Sequence, residues 1–432
     1  MDKTKIPVVS KKVLIPFILI TSLFALWGFA NAVTDPMVSA FKKVLELNNK
    51  QASLVQLAFY GGYFTMALPA AFFMKKYSYK VGILIGLCLY ATGALLFFPA
   101  AAYENYVFFL IALYILTFGL AFLETSANPY ILAMGDEKTA TRRLNLAQAF
   151  NPVGLVGGLF VAQNFVLSKL QSDDIEKFSE LSETVKQGIR TSDLLVIRNP
   201  YVALGLFVLL MLIIIAFVKM PEKKNSDEKV SIKSAISRIF KKQNFREGVI
   251  AQMLYVGAQI MCWTYIYHYA ENIGIANDKA INYSYVAFGL FLVGRFVFTY
   301  ILKFVNSSNL LSYLSIFATA LALVTIFVEG FLGLYALVGI SFCMSLMFPT
   351  IYGIALDGLG DDSKLASAFL VMAIVGGAIM PVLQGMVLDI GGTNYNDTKI
   401  LGVPEVNFSF ILPLICFVLI SIFGFRSIKQ NL

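Results

Sequence analysis

YVFFLIALYILTFGLAFLETSANPYILAM, residues 106–134, carries a single charged side chain, Glu124. Coiled as a helix at about 1.5 Å per residue, it reaches roughly 40 Å, enough to cross the ~30 Å hydrocarbon core of a bilayer. Eleven more stretches of this kind occur, so the twelve fall at 13–40, 52–74, 81–101, 106–134, 143–168, 199–219, 247–270, 281–303, 309–328, 332–357, 364–388 and 407–426. Hydrophobic residues make up 58% of the 432 and charged residues 14%, against roughly 25% charged in a soluble domain. Hydrocarbon offers the backbone no hydrogen-bond partner, which leaves helices or closed barrels as the spanning structures. Runs of this length predict helices rather than the ~10-residue alternating strands of a barrel. The expected fold is an all-α membrane protein with twelve transmembrane helices. The first stretch is too long for a signal-peptide core and no small-x-small site follows it, so it is expected to remain as a span.

Lysine and arginine in the connecting segments set the orientation. Lys3, Lys5, Lys11 and Lys12 precede the first span. Lys75, Lys76 and Lys80 follow the second, Lys138, Arg142 and Arg143 follow the fourth, and nine basic residues lie from Lys219 to Arg246. All four groups fall on one side, which is then the cytoplasm, and an even span count puts both termini there. Lys42, Lys43 and Lys50 oppose this and are outnumbered. The net charge of +8 is thus a sign of topology. With no domain to focus it, nucleic acid is not an expected partner, whereas anionic lipid headgroups are.

The polar, basic segment 220–246 divides the chain near its middle and is expected to be a cytoplasmic linker with short surface helices. The domains are then an N-terminal half, 1–219, and a C-terminal half, 247–432, of six spans each. Residues 169–198 read as a long outer loop, in which Ile175, Phe178 and Leu181 permit a short amphipathic helix. The halves look weakly repeated. A span containing Pro129 leads across a short charged turn into one bearing Asn151, Pro152, Gly157 and Gly158. A span containing Pro349 leads likewise into one bearing Gly376, Gly377 and Pro381. Gly pairs let helix backbones approach and Pro permits kinks. Internal duplication around a central site is a habit of secondary transporters.

Two carboxylates interrupt the apolar spans, Asp35 in the first and Glu124 in the fourth. An ionised carboxylate there costs on the order of 3 kcal/mol, which points to a group that something binds or protonates. Asn31 shares a helix face with Asp35, and Asn128 with Glu124. Asn145, Gln148 and Asn151 follow on the fifth span, and Gln259 and Trp263 share a face of the seventh. Trp27, Tyr60, Tyr63, Phe291, Phe348 and Tyr352 supply flat rings. Carboxyls and amides flanked by rings suit a sugar, whose hydroxyls bond the polar groups and whose C–H face packs on the aromatics. Arg295 is alone deep in the eighth span. His268, the one histidine, sits near the outer end of the seventh.

Motifs for other chemistry are missing. No Gly-x4-Gly-Lys-Ser/Thr loop, no His-Glu-x-x-His and no glycine loop after a strand occurs, which excludes direct ATP drive and dinucleotide binding. Cys88, Cys262, Cys343 and Cys416 lie alone in different spans, without metal or redox spacing. The chain is therefore not expected to be an enzyme or to hold a cofactor or metal. An ion gradient or the substrate's own gradient would supply the energy.

These residues carry a family resemblance. Leu26-Trp-Gly-Phe-Ala-Asn31 with Asp35, Gln56-Leu-Ala-Phe-Tyr-Gly-Gly-Tyr63, Leu123-Glu-Thr-Ser-Ala-Asn-Pro129, Arg143-Leu-Asn-Leu-Ala-Gln148, Gly257-Ala-Gln259, Cys262-Trp263 and Gly294-Arg-Phe296 together resemble the fucose permease branch of the major facilitator superfamily, over nearly the whole chain. The resemblance implies two six-helix bundles, alternating access and proton-coupled import of L-fucose. It assigns proton coupling to Asp35 and Glu124. Sugar contacts fall to Asn31, Glu124, Gln148, Asn151, Gln259, Trp27, Trp263, Phe291 and Phe348. The chain departs from the pattern at Ala32, Met347, Phe348 and His268, where fucose permeases have Asn, Gln, an aromatic hydroxyl and Arg. Met347-Phe-Pro-Thr-Ile351 is closer to the glucose/galactose transporters of the wider group. A glucose, galactose or N-acetylhexosamine carrier, driven by sodium instead of protons, is the alternative. A bacterial inner membrane and a monomeric state complete the expectation, with a sugar and a proton as the partners.

Overall fold

The computed structural model describes residues 7–47, 49–174, 181–221, 232–275, 277–390 and 398–430. Among them, twelve helical segments are long and apolar enough to cross a membrane. The first four are Leu14–Val44, Asn49–Lys76, Tyr79–Ala102 and Tyr106–Ala133. The next four are Glu137–Lys169, Glu183–Phe217, Gln243–Asn272 and Lys279–Ile301, and the last four Ser307–Phe327, Phe331–Leu356, Gly360–Leu388 and Glu405–Ile428. Eleven of them begin within about six residues of the position read from composition, because desolvation of the peptide group acts on each segment separately.

The sixth is the exception. Its helix starts at Glu183 and runs unbroken to Phe217 through Pro200, so most of the second half of the expected outer loop is helix. Its buried charged side chains have partners. Lys186 is 7% exposed and pairs with Glu46 at 3.1 Å and Glu183 at 3.4 Å. Asp193, fully buried, accepts from the backbone N–H groups of Gln171 and Ser172 at 2.9 and 3.0 Å. Ile175 and Phe178 of the expected amphipathic helix lie outside the described residues, and Leu181 is not helical.

The chain packs into two compact units. The first comprises Lys11–Tyr130 and Phe150–Asn225, the second Met1–Ser10, Ile131–Ala149 and Ser226–Leu432. In the first unit the first and fifth spans cross at backbone contact. A Cβ on Gly28 would overlap the Asn151 carbonyl, and one on Gly154 the Ala25 carbonyl. Gly157, half of the expected pair, meets nothing within 4 Å, so the spacing Gly154–Gly158 makes the crossing. In the second unit the eleventh span approaches the seventh in the same way, and a Cβ on Gly376 would overlap the Met253 carbonyl.

The third, fifth, seventh, tenth, eleventh and twelfth spans are broken helices. The fifth changes from Ala140–Gln148 to Asn151–Val161, with Pro152 in the first turn after the break, and ends in a π turn, Ala162–Val166. The tenth passes from Phe331–Met344 to Met347–Leu356, and the eleventh through a 3-10 turn at Ala373–Val375. The fourth runs unbroken through Pro129. Breaks of this kind expose backbone groups and are where transporters build sites.

In the second unit the segment Ala140–Gln148 seats on the tenth span, where Asn145 Nδ2 donates to Thr350 Oγ1 at 3.2 Å. Arg143 is fully buried there. Its guanidinium donates to the carbonyls of Ile131 at 2.7 Å, Leu132 at 2.5 Å and Val8 at 3.2 Å, and to Thr139 Oγ1 at 3.0 Å. Read as one of the exposed charges that set orientation, it instead caps the open carbonyls at the end of the fourth span. Within the expected linker, Ile232–Lys241 is a helix that buries Ala235 and Ile239. Arg238 binds Asp362 through two bonds of 3.0 Å.

Candidate functional site

The two units place the expected site residues in two sets. In the first unit, Trp27 is 1% exposed, and its indole N–H has no hydrogen-bond partner among the described residues. Asn31, one turn on, is half-buried and its Oδ1 is likewise bare. Asp35 follows one further turn along the same helix; its side chain lies outside the described residues. On the fourth span Glu124 is half-buried with a bare Oε2. The next two residues do not share that state. Thr125 and Ser126 return their hydroxyls to the carbonyls of Ala121 and Phe122, at 2.7 and 2.6 Å. A carboxylate cannot donate in that way, so Glu124 is left to an outside partner. Asn151 spends one N–H on the Phe24 carbonyl at 3.3 Å, which ties it to the crossing of the first and fifth spans.

Each bare buried polar atom costs about 1–3 kcal/mol. The first unit keeps an indole donor, an amide acceptor and a carboxyl in this condition, on two helices. Such a mixture of donors and acceptors suits a neutral polyhydroxylated ligand, and the carboxyl can in addition hold a proton.

The second unit is aromatic. Trp263 is half-buried, and its N–H is taken by Ser341 Oγ at 3.1 Å, so only its ring is on offer. It meets Phe288 and Phe291 edge-on, with centroids 4.8 and 5.1 Å away. Phe291 is 2% exposed and carries the Arg295 guanidinium 5.0 Å above its ring. Phe348 is half-buried, edge-on to Tyr255 at 6.2 Å and parallel to Tyr352 at 6.3 Å. Gln259 is half-buried and Gln148 nearly buried. His268 is half-buried against Tyr265, with ring centroids 5.0 Å apart.

Met347, one of the departures from the fucose-permease pattern, is fully buried in the tenth span, whereas Phe348 beside it is half-buried. The sequence reading also missed Gln252. That residue is fully buried with both amide atoms bare, two turns from Gln259 on the same helix face. The signal was present as a third amide-or-ring position in the series Gln252, Gln259, Trp263.

Comparison with known proteins bears on this arrangement. The family model described as Major Facilitator Superfamily matches residues 17–382. The L-fucose-proton symporter of Haemophilus influenzae is 55% identical over 428 residues, covering 98% of each chain. The glucose/galactose transporter of Brucella abortus is 31% identical over 414 residues, covering 95% of this chain and 93% of its own. Among solved structures, the fucose:proton symporter FucP of E. coli superposes with a TM-score of 0.86 at 36% identity, covering 96% of this chain and 98% of that one. The chain belongs to the Major Facilitator Superfamily.

Proposed function

We propose that this chain is a proton-coupled importer of L-fucose, a transporter and not an enzyme, working by alternating access. The observation that carries the proposal is that the first unit keeps a carboxyl atom of Glu124 bare, together with bare groups on Trp27 and Asn31. The 55% identity to an L-fucose-proton symporter, against 31% to a glucose/galactose transporter, favours fucose over the alternative sugars. Asp35 and Glu124 take the proton, which removes the charge that hydrocarbon penalises. Asn31, Glu124, Gln148, Asn151 and Gln259 bond sugar hydroxyls. Trp27, Trp263, Phe291 and Phe348 provide the rings. The halves 1–219 and 247–432, joined by 220–246, serve as the moving bodies. The protein sits as a monomer in a bacterial inner membrane with both termini in the cytoplasm.

L-Fucose is a 6-deoxy sugar, so one end is a methyl group. Phe348 offers that methyl an apolar surface, which discriminates by about 1–3 kcal/mol. L-Fucose should then be preferred over L-galactose, its 6-hydroxy counterpart, by roughly tenfold or more. In proteoliposomes, adding L-fucose should alkalinise the outside medium, and L-galactose, D-galactose, D-glucose and N-acetylglucosamine should compete more weakly than unlabelled L-fucose. Stronger competition by D-glucose or N-acetylglucosamine would move the assignment to the glucose/galactose type. Uptake that follows a sodium gradient with no proton movement would end the proton assignment.

A further inference from the structure

Two acids of the first unit hold the left-handed backbone conformation, Glu46 at φ 50° after the first span and Glu104 at φ 49° after the third. An L side chain is strained there, and glycine is the residue that fits. Both acids reach the same helix, the start of the sixth span. Lys186 donates to Glu46 at 3.1 Å and Arg190 at 3.3 Å. Gln187 donates to Glu104 at 3.1 Å, and the Thr191 hydroxyl donates to it as well. Each acid thus bridges one turn of that helix, from i to i+4. Arg190 also donates its Nε–H to the Val44 carbonyl at 3.2 Å. Val44 ends the helix of the first span, Leu14–Val44, so the guanidinium caps that helix and suits its dipole. The helix that supplies these partners is itself fixed, because its buried Asp193 holds the N–H groups of Gln171 and Ser172.

What this clamp anchors is the far arm of the first span. Pro36 follows Asp35 directly. It has no N–H to offer the Ala32 carbonyl, so the helix lacks a rung beside Asp35 and bends most easily there. On the near side the span is pinned to the fifth by backbone contact at Gly28, Gly154 and Gly158. On the far side it is held by Arg190 and Lys186. Asp35 therefore sits at the joint between two pinned arms of one helix.

We propose that Glu46, Lys186 and Arg190 are positioning residues for proton coupling: they fix the arm of the first span beyond Pro36, and with it the place at which Asp35 takes up and releases its proton. The strained turn at Glu46 is kept because glycine would relax the backbone but could not hold the arm. The inference rests on the proton-coupled transport put forward above.

The test is L-fucose uptake by the full-length transporter in proteoliposomes, with protons moved per sugar and equilibrium L-fucose binding measured on the same preparations. Glu46→Gln should lower proton-driven accumulation, and protons moved per sugar, by about threefold or more, while binding stays within about twofold of wild type. Glu46→Gly relaxes the backbone at φ 50° and should fail in the same way. Arg190→Met removes both of that residue's bonds and serves if a Glu46 variant does not fold. Glu46→Asp keeps the charge in a residue that tolerates the left-handed region and should retain most of the coupling. Amides of residues 37–44 should exchange with heavy water faster in Glu46→Gln and Glu46→Gly, by up to about fivefold. Normal coupling in Glu46→Gly makes Glu46 a turn former only and overturns the proposal. Binding and uptake that fall together, with protons per sugar intact, also overturn it and leave a structural role. A wild type that moves no protons with the sugar overturns the proposed function and this inference with it; wild-type coupling that Glu46→Gln retains overturns this inference alone.

Discussion

The first unit leaves bare an indole N–H, an amide oxygen and a carboxyl oxygen around Trp27, Asn31 and Glu124. In the second, the indole N–H of Trp263 is satisfied by Ser341, and the bare donors beside its rings belong to Arg295, a permanent cation. A carboxyl can change its charge during a transport cycle; a guanidinium cannot. The two sets of residues therefore predict separable failures. Damage to the first should break the link between proton and sugar. Damage to the second should change which sugar is held, and how tightly.

Asp35→Asn should have the largest effect. Uptake into proteoliposomes driven by a proton gradient should fall to background, and L-fucose should no longer alkalinise the medium. Undiminished accumulation by this variant would falsify proton coupling through the first unit. Glu124→Gln should come next. It mimics the protonated carboxyl, so exchange of labelled for unlabelled sugar should persist while uphill accumulation fails. If Glu124→Gln concentrates sugar as well as wild type, the separation between the units collapses.

The crossings give a stability comparison. Gly28→Ala in the first unit and Gly376→Ala in the second each push a methyl into a backbone carbonyl of the partner helix. Each should cost about 1–3 kcal/mol and lower the melting temperature in detergent, whereas Gly157→Ala, with open space around it, should melt like wild type. A drop for only one of the two tight glycines would show that the crossings differ between units despite their likeness in sequence. The smallest effect is expected from Phe348→Ala. It should erase most of the roughly tenfold preference for L-fucose over L-galactose while leaving proton movement per sugar unchanged. A change in coupling with selectivity intact would place Phe348 in the wrong role.

Much of the architecture was legible in composition. Span positions emerged because each helix must satisfy its own backbone in hydrocarbon, whatever its neighbours are. The sixth helix shows the limit. Residues 183–198 read as part of a polar outer loop, yet folding brings Glu46 to Lys186 and the backbone of Gln171 and Ser172 to Asp193, so these charges sit on a helix. Arg143 shows the same in reverse, since counting it as an exposed charge overlooked the helix end that it caps. Gly157 and Gly158 looked like one close-packing pair, yet only Gly158 has a neighbour near enough to need it.

The sequence by itself determined that this chain spans a membrane twelve times and keeps two carboxylates, several amides and many rings inside the spans. It also determined the family, through motifs spread along both halves. What only the tertiary structure decided is which polar atoms are satisfied and which are bare. Trp27 and Trp263 read alike in the chain and divide in the fold, while Arg143, read as a loop charge, is as buried as Arg295 and differs from it in being satisfied. The physical reason is range. Hydropathy is summed along one helix, whereas an N–H or a carboxyl is satisfied by a residue far away in the chain, and no local pattern records which residue that will be.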